Sequence, residues 1–168
     1  TYHNFKIILI QTVIVAVGAL GMTMIIVSGG IDLSVGSTIA FTSVVGALLI
    51  QQGWNDLAVV AAILFSGAFI GLLNGAAISG LRMTPFIITL GSLGAVRGSA
   101  KWLADNQTVN YERDVSAIDT WMTTEDPFSY ALPAGVWITL GLAVLTAVML
   151  RKTVFGRHIF ALGSNEAT

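Results

Sequence analysis

The sequence contains no cysteine, only two histidines and only three prolines in its 168 residues. Without cysteine, these residues hold no disulfide, no reactive thiol and no cysteine metal site. The two histidines, His3 and His158, lie near opposite ends of the chain and lack the spacing of a metal-binding pair. We therefore expect no metal site and no cofactor in this chain.

Charged residues are also scarce. They make up 10% of the chain, against about 25% in soluble domains, while hydrophobic residues make up 55% and the mean hydropathy is +0.82. This composition indicates an integral membrane protein in contact with lipid. The formal net charge is −1, and no basic stripe is present to follow a phosphate backbone, so we expect no nucleic-acid partner.

Five apolar segments are candidates for crossing a bilayer, which takes roughly 17 to 25 helical residues. We place these segments at about 6–27, 33–50, 57–81, 85–103 and 134–150. The second is short for a full crossing. The predicted fold class is all-α, a polytopic transmembrane helix bundle. Because the sequence begins without methionine and stops inside a polar segment, we expect it to be a fragment of a longer chain.

Basic residues predict the orientation of these segments, because cytoplasmic loops retain arginine and lysine. Arg82 follows the third segment, and Arg151, Lys152 and Arg157 follow the fifth. Two crossings separate these places, so both fall on one side of the membrane, as the rule requires. We therefore assign both to the cytoplasm and place the polar loop 104–133 outside.

A polar break separates the first two segments. Residues 28–37 read SGGIDLSVGS, and the topology places them toward the inner half of the bilayer. A carboxylate and freed backbone groups are tolerated at this depth only inside protein or along a polar path. We assign the following residues to the break and translocation pathway: Gly29, Gly30, Asp32, Ser34 and Gly36. Asp32 has two interpretations, a cap at the start of the second helix or a direct contact with solute.

Two further polar residues inside the spans, Asn74 and Arg97, are assigned to the same pathway. Each also has a structural interpretation. A buried amide such as that of Asn74 needs partners and is suited to bonding between helices. Arg97 and Lys101 share a helix face and can extend to the outer interface as anchors.

Small residues repeat at helical spacing on the third and fourth segments. Such rows allow helix backbones to approach closely in a membrane. We predict that five glycines pack helices together: Gly67, Gly71, Gly75, Gly91 and Gly98.

Several stretches, taken together, resemble a known family. They are residues 21–24 (GMTM), 28–37 (SGGIDLSVGS), 84–91 (TPFIITLG), 97–98 (RG) and 153–168 (TVFGRHIFALGSNEAT). In this order and spacing they are similar to bacterial ABC-importer permeases of the ribose, xylose and galactose type, which are related more distantly to branched-chain amino acid permeases. The resemblance covers nearly the whole sequence.

The resemblance implies a multi-pass protein of the bacterial inner membrane that imports a monosaccharide. This chain would be the amino-terminal half of a permease of about ten helices. Its expected partners are a second permease copy, cytoplasmic ATPase subunits and a periplasmic sugar-binding protein. Residues 151–168 would form the cytoplasmic coupling loop, with these residues at the ATPase: Gly156, Arg157, Ala161, Leu162, Gly163, Asn165 and Glu166.

Two other function classes remain open at this point. A secondary transporter or channel would use Asp32 to carry a proton or sodium ion. An intramembrane enzyme would need a catalytic constellation, and the sequence shows neither a nucleophile with a base nor a phosphate-binding P-loop. We therefore expect a transport subunit rather than an enzyme, with ATP hydrolysed on a partner.

Overall fold

The computed structural model describes residues 2–110 and 134–164, which form helices joined by short turns. Within these two ranges there are six helices: α1 (Tyr2–Val27), α2 (Val35–Gln51), α3 (Asp56–Leu81), α4 (Pro85–Leu103), α5 (Ala134–Lys152) and α6 (Val154–Ser164). The predicted all-α class is confirmed. Residues 111–133 of the predicted outer loop lie outside the described residues.

Three described stretches are long and apolar enough to cross a membrane, namely Ile7–Val27 of α1 and the whole of α3 and α5. Helix α2 is apolar but has 17 residues, which is at the lower limit for a crossing. Helix α4 has 19 residues and is less apolar than α1, α3 and α5, since it carries Arg97 and Lys101. Among the described helices, three are thus candidates for full spans and two, α2 and α4, give weaker signals.

The helices group into two compact units. One contains α1, α5 and α6, and the other contains α2, α3 and α4. In the first unit α1 packs on α5, and α6 contacts both of them. In the second unit α2 packs on α3 and α4, and these two also contact each other. The chain passes from one unit to the other between Gly30 and Ile31, which is inside the polar break.

The close approach of α2 to α3 depends on Gly46, which is buried. A Cβ atom built on Gly46 would lie 2.7 Å from Ile63 Cδ1 and 3.9 Å from Val59 Cγ1. Val59 itself is fully buried. A small residue therefore sits where two apolar helices meet, as expected where lipid supplies no hydrophobic drive for association.

The glycine rows predicted from the sequence have a more limited role in the described contacts. A Cβ atom on Gly67 would lie 3.6 Å from Thr42 Cγ2 on α2. No described atom lies within 4 Å of the corresponding position on the other predicted packing glycines, which are Gly71, Gly75, Gly91 and Gly98. Packing of these four against another helix stays a prediction.

Replacing Gly46 by valine should destabilise the full-length protein by about 1–3 kcal/mol, because the larger side chain overpacks the contact between α2 and α3. Gly46→Ala should cost less, because the nearest atom, Ile63 Cδ1, ends a flexible side chain. Thermal unfolding of the purified protein in detergent would measure both. Equal stability of the valine variant and the unmodified protein would contradict this account.

Candidate functional site

Helix α1 ends at the break in a Schellman motif. The Gly29 N–H donates to the Ile26 carbonyl at 3.0 Å, and the Gly30 N–H donates to the Ile25 carbonyl at 2.9 Å. Gly29 has a φ of +80°, a left-handed conformation that glycine adopts without steric cost. The two glycines therefore end the helix while still satisfying the carbonyl groups of Ile25 and Ile26.

Asp32 orders the turn that leads into α2. Its Oδ1 accepts hydrogen bonds from the Ser34 N–H at 2.7 Å and from the Ser34 hydroxyl at 2.6 Å. Helix α2 begins at Val35 with Ser34 as its N-cap residue. Asp32 is therefore not the helix cap. A carboxylate that accepts from the N–H two residues later forms an Asx-type turn and does not reach the free N–H groups of the first helical turn.

Ser34 connects this turn to α3. Asn74, which lies in the third helix and is half-buried, donates from Nδ2 to Ser34 Oγ at 3.0 Å. Ser34 is 1% exposed, and its hydroxyl donates in turn to Asp32. A continuous chain of hydrogen bonds thus runs from Asn74 through Ser34 to Asp32. Asn74 therefore makes a hydrogen bond that links α3 to the start of α2, as its structural interpretation predicts. Hydrogen bonds in such a chain strengthen one another at low dielectric.

Thr89 connects the break to α4. Its side chain is 2% exposed, and its Oγ1 lies 3.2 Å from the Ile31 carbonyl and 2.9 Å from the Pro85 carbonyl of its own helix. A hydroxyl has one proton to donate, so these two carbonyls share one donor. Thr89 lies in the family-like stretch 84–91, but no sequence signal indicates its bond to the break, because a helical threonine commonly bonds to its own preceding turn.

Ser37 completes the group on α2. Its hydroxyl donates to the Ser34 carbonyl at 2.7 Å, beside the first helical bond from the Thr38 N–H. We call Asp32, Ser34, Ser37, Asn74 and Thr89 the break cluster. Within the described part of the chain, every buried side-chain nitrogen and oxygen has a partner. The break cluster is therefore suited to holding three helices in register rather than to acid–base or nucleophilic chemistry.

Apart from Gly29 and Gly30, which end α1, two residues assigned to the pathway lie outside the break cluster. Gly36, in the first turn of α2, is exposed, and no described atom lies within 4 Å of where its Cβ would be. Arg97 is exposed on α4, two turns beyond Thr89. Their contact with solute stays a prediction. Residues 2–110 and 134–164 contain no group of three or more His, Cys, Asp or Glu side chains that could hold a metal ion.

The predicted coupling loop is helical over α6, and a single residue, Thr153, separates α6 from α5. Thr153 Oγ1 donates to the Met149 carbonyl at 2.6 Å and accepts from the Gly156 N–H at 3.1 Å. It thereby ends one helix and caps the next, which is why the segment is not an open loop. Arg157, Ala161 and Leu162 are exposed on α6, whereas Asn165 and Glu166 lie outside the described residues.

Apolar helices joined through a hydrogen-bonded polar break are typical of membrane transport proteins. Residues 4–168 match the family model described as branched-chain amino acid transport system / permease component. The match covers almost the whole sequence, and the chain belongs to this permease family. The family predicted from the sequence motifs is thereby confirmed.

Curated relatives in this family are named for sugar and signal import. The chain is 39% identical to the ribose import permease protein RbsC of Escherichia coli K12, over 99% of this chain and 52% of the relative. It is 36% identical to the fructose import permease protein FruG of Bifidobacterium longum, over 89% of this chain and 46% of the relative. It is 31% identical to the autoinducer 2 import system permease protein LsrC of Salmonella paratyphi B, over 88% of this chain and 41% of the relative.

The chain therefore spans about half the length of the curated relatives that it matches. No solved structure gives a significant match.

Asp32→Ala should destabilise the full-length protein by about 1–3 kcal/mol, because it leaves the buried Ser34 N–H and hydroxyl without their acceptor. Asp32→Asn is the matched control, since its amide oxygen can still accept at the Oδ1 position. Thermal unfolding in detergent, with solute uptake measured in parallel, tests the difference. The assignment fails if the alanine variant is as stable as the asparagine variant.

Thr89→Val should cost about 0.5–1.5 kcal/mol, because valine keeps the shape of threonine but removes the donor to the Ile31 carbonyl. Thr89→Ser keeps the hydroxyl and should remain closer to the unmodified protein. Amide exchange in α2 and the break, measured on both variants, should rise in the valine variant. Identical exchange in both variants would show that Thr89 serves its own helix alone.

Proposed function

We propose that this chain is part of the permease subunit of an ABC-type importer that moves a monosaccharide into the cytoplasm. The observation that carries the proposal is 39% identity to a ribose import permease over 99% of this chain. The relatives named for ribose and fructose import support a monosaccharide as the solute. The permease does not itself hydrolyse ATP, which is bound and cleaved on a separate subunit.

The proposed location is the bacterial inner membrane. Three described stretches are suited to crossing it, and the chain is 32% identical over 96% of its length to a protein named inner membrane ABC transporter permease protein YjfF in Escherichia coli K12. Arg151 and Lys152, in the last turn of α5, put α6 on the cytoplasmic side by the positive-inside rule.

The break cluster acts in this proposal as the pivot around which the helices move during alternating access. Both hydrogen bonds of the Asp32 carboxylate go to Ser34, which supports a role in backbone geometry over solute contact. Helices α3 and α4 each reach the break through one polar side chain, Asn74 and Thr89. A movement of the break is therefore passed to two neighbouring helices at once.

Helix α6 is the proposed contact with the ATPase. Phe155 and Leu162 are 58% and 55% exposed, and a separation of seven residues places them on one side of the helix. Arg157 is exposed nearby. An apolar strip on a short cytoplasmic helix, with a basic residue beside it, has the composition of a protein interface core.

The complete assembly in this proposal contains two permease copies, two ATPase subunits and a periplasmic sugar-binding protein that delivers solute at the outer side. Reconstitution of the full-length permease in proteoliposomes, with the ATPase and binding protein encoded beside it, tests the proposal. We expect uptake of labelled ribose, fructose or another monosaccharide that requires ATP and the binding protein. An ATPase variant that cannot hydrolyse ATP is the control.

The same experiment separates the proposal from its main rival. A secondary transporter would take up solute in response to a proton or sodium gradient without any ATPase, with the carboxylate of Asp32 as the coupling group. Uptake that persists in energised vesicles after removal of the ATPase would overturn the importer proposal.

Phe155→Ser combined with Leu162→Ser should weaken binding of the ATPase about tenfold or more, because truncating anchors at the centre of an interface commonly costs over 1 kcal/mol. Ser164→Ala, at an exposed polar position of the same helix, is the control and should bind normally. Co-purification of the ATPase with the tagged full-length permease measures both. Undiminished binding of the double variant would exclude this face of α6 from the interface.

A further inference from the structure

One face of α6 is turned toward the ends of two spanning helices. Gly156, Ile159 and Gly163 are separated by three and four residues and so lie on the same side of the helix. Gly156 and Ile159 are buried, and α6 contacts both α1 and α5. This face adjoins the exposed strip of Phe155 and Leu162 proposed for the ATPase, with Ile159 at the boundary between the two.

The start of α6 is joined tightly to α5. A Cβ atom on Gly156 would collide with the backbone of Leu150, including its carbonyl oxygen. Thr153 bonds to both helices at the same point. Gly156 and the one-residue connection hold this end of α6 against α5. A displacement of α6 relative to α5 therefore has to occur at the other end of α6.

That other end rests on the last residues of α1. A Cβ atom on Gly163 would collide with the Val27 carbonyl oxygen and would lie 3.3 Å from the Gly29 nitrogen. Conversely, a Cβ atom on Gly29 would lie 3.6 Å from the Gly163 Cα. The contact therefore joins backbone to backbone, with no side chain between the two helices to absorb a displacement.

The contact with Gly163 lies at Val27, the last residue of α1, directly before the glycine break. The hydrogen bonds that close α1 use the carbonyls of Ile25 and Ile26, so Gly163 meets the next carbonyl along, that of Val27. Three residues later the chain continues through Gly30 into the turn that Asp32 orders. A packed contact of this kind transmits small shifts because it cannot deform continuously.

We propose that Gly163 is a positioning residue that couples the movement of α6 to the glycine break at the end of α1. The side chain must be absent here, because any Cβ atom separates α6 from the Val27 carbonyl. This inference rests on the proposed function, in which the ATPase supplies the force that moves α6. It adds the route by which that force reaches the break.

The test is Gly163→Ala in the full-length permease, assembled with its ATPase and binding protein. The resemblance places Gly163 at the ATPase, but the Cβ position of Gly163 is directed at the Val27 carbonyl of α1, so we expect assembly and ATP hydrolysis to persist. The amount of solute transported per ATP should fall roughly fivefold or more, in the range of coupling energies between distant sites. A general folding defect would instead lower assembly, hydrolysis and transport together. The matched controls are Gly18→Ala and Gly141→Ala, in α1 and α5, where no described atom lies within 4 Å of the Cβ position.

A measurement on the unmodified assembly decides the question even if the alanine variant does not fold. Amide exchange at residues 25–30 should change on nucleotide binding together with exchange in α6. The inference is overturned if α6 responds and the end of α1 does not, or if Gly163→Ala transports the normal amount of solute per ATP. Failure of the unmodified permease to bind any ATPase would instead overturn the proposed function.

Discussion

The constraint on which the structure depends is that an interrupted helix at membrane depth must satisfy its polar groups within the protein. Residues 28–34 contain a helix end, a helix start and a carboxylate, and each is satisfied locally or by one neighbouring helix. The glycines close α1 on its own carbonyls. Asp32 holds Ser34, and Asn74 extends the chain of bonds to α3. The same hydrogen bonds that offset the free-energy cost of the break also fix the position of α2 against its neighbours.

This constraint also explains why the helices meet as they do. Apolar side chains on α3, such as Leu57 and Phe65, are largely exposed in the described structure, and in lipid they gain nothing from contacting one another. Specific contacts then come from polar side chains and from close backbone approach. Asn74 and Thr89 supply the first kind, and Gly46 and Gly163 supply the second.

Much of the fold and part of the site follow from the sequence, because hydropathy and helix-breaking residues act locally. The apolar segments, the break at Gly29–Gly30 and the need of Asn74 for a partner are of this kind. Gly46 and Gly163 are different, since a glycine at a crossing point looks the same in sequence as one facing lipid. The regular spacing of Gly67, Gly71 and Gly75 predicts a packing face on α3, yet a Cβ atom would have less room on the isolated Gly46 of α2, beside Ile63, than on any of these three. The helical state of α6 depends on the cap formed by Thr153, whose two bonds require both helix ends to be in place.

Thr89 Oγ1 has three carbonyl oxygens within reach of its one proton, at 3.2 Å on Ile31, 2.9 Å on Pro85 and 3.4 Å on Phe86. If α4 moves away from the break, the hydroxyl can turn fully to the Pro85 carbonyl and remain bonded. The Thr89 hydroxyl would therefore keep a hydrogen bond when its bond to the break is lost, and only the Ile31 carbonyl would need a new partner. Water entering along an opening path would provide that partner. Separation of α4 from the break would thus cost little free energy, while the bond from Thr89 to the Ile31 carbonyl defines their position when they are together.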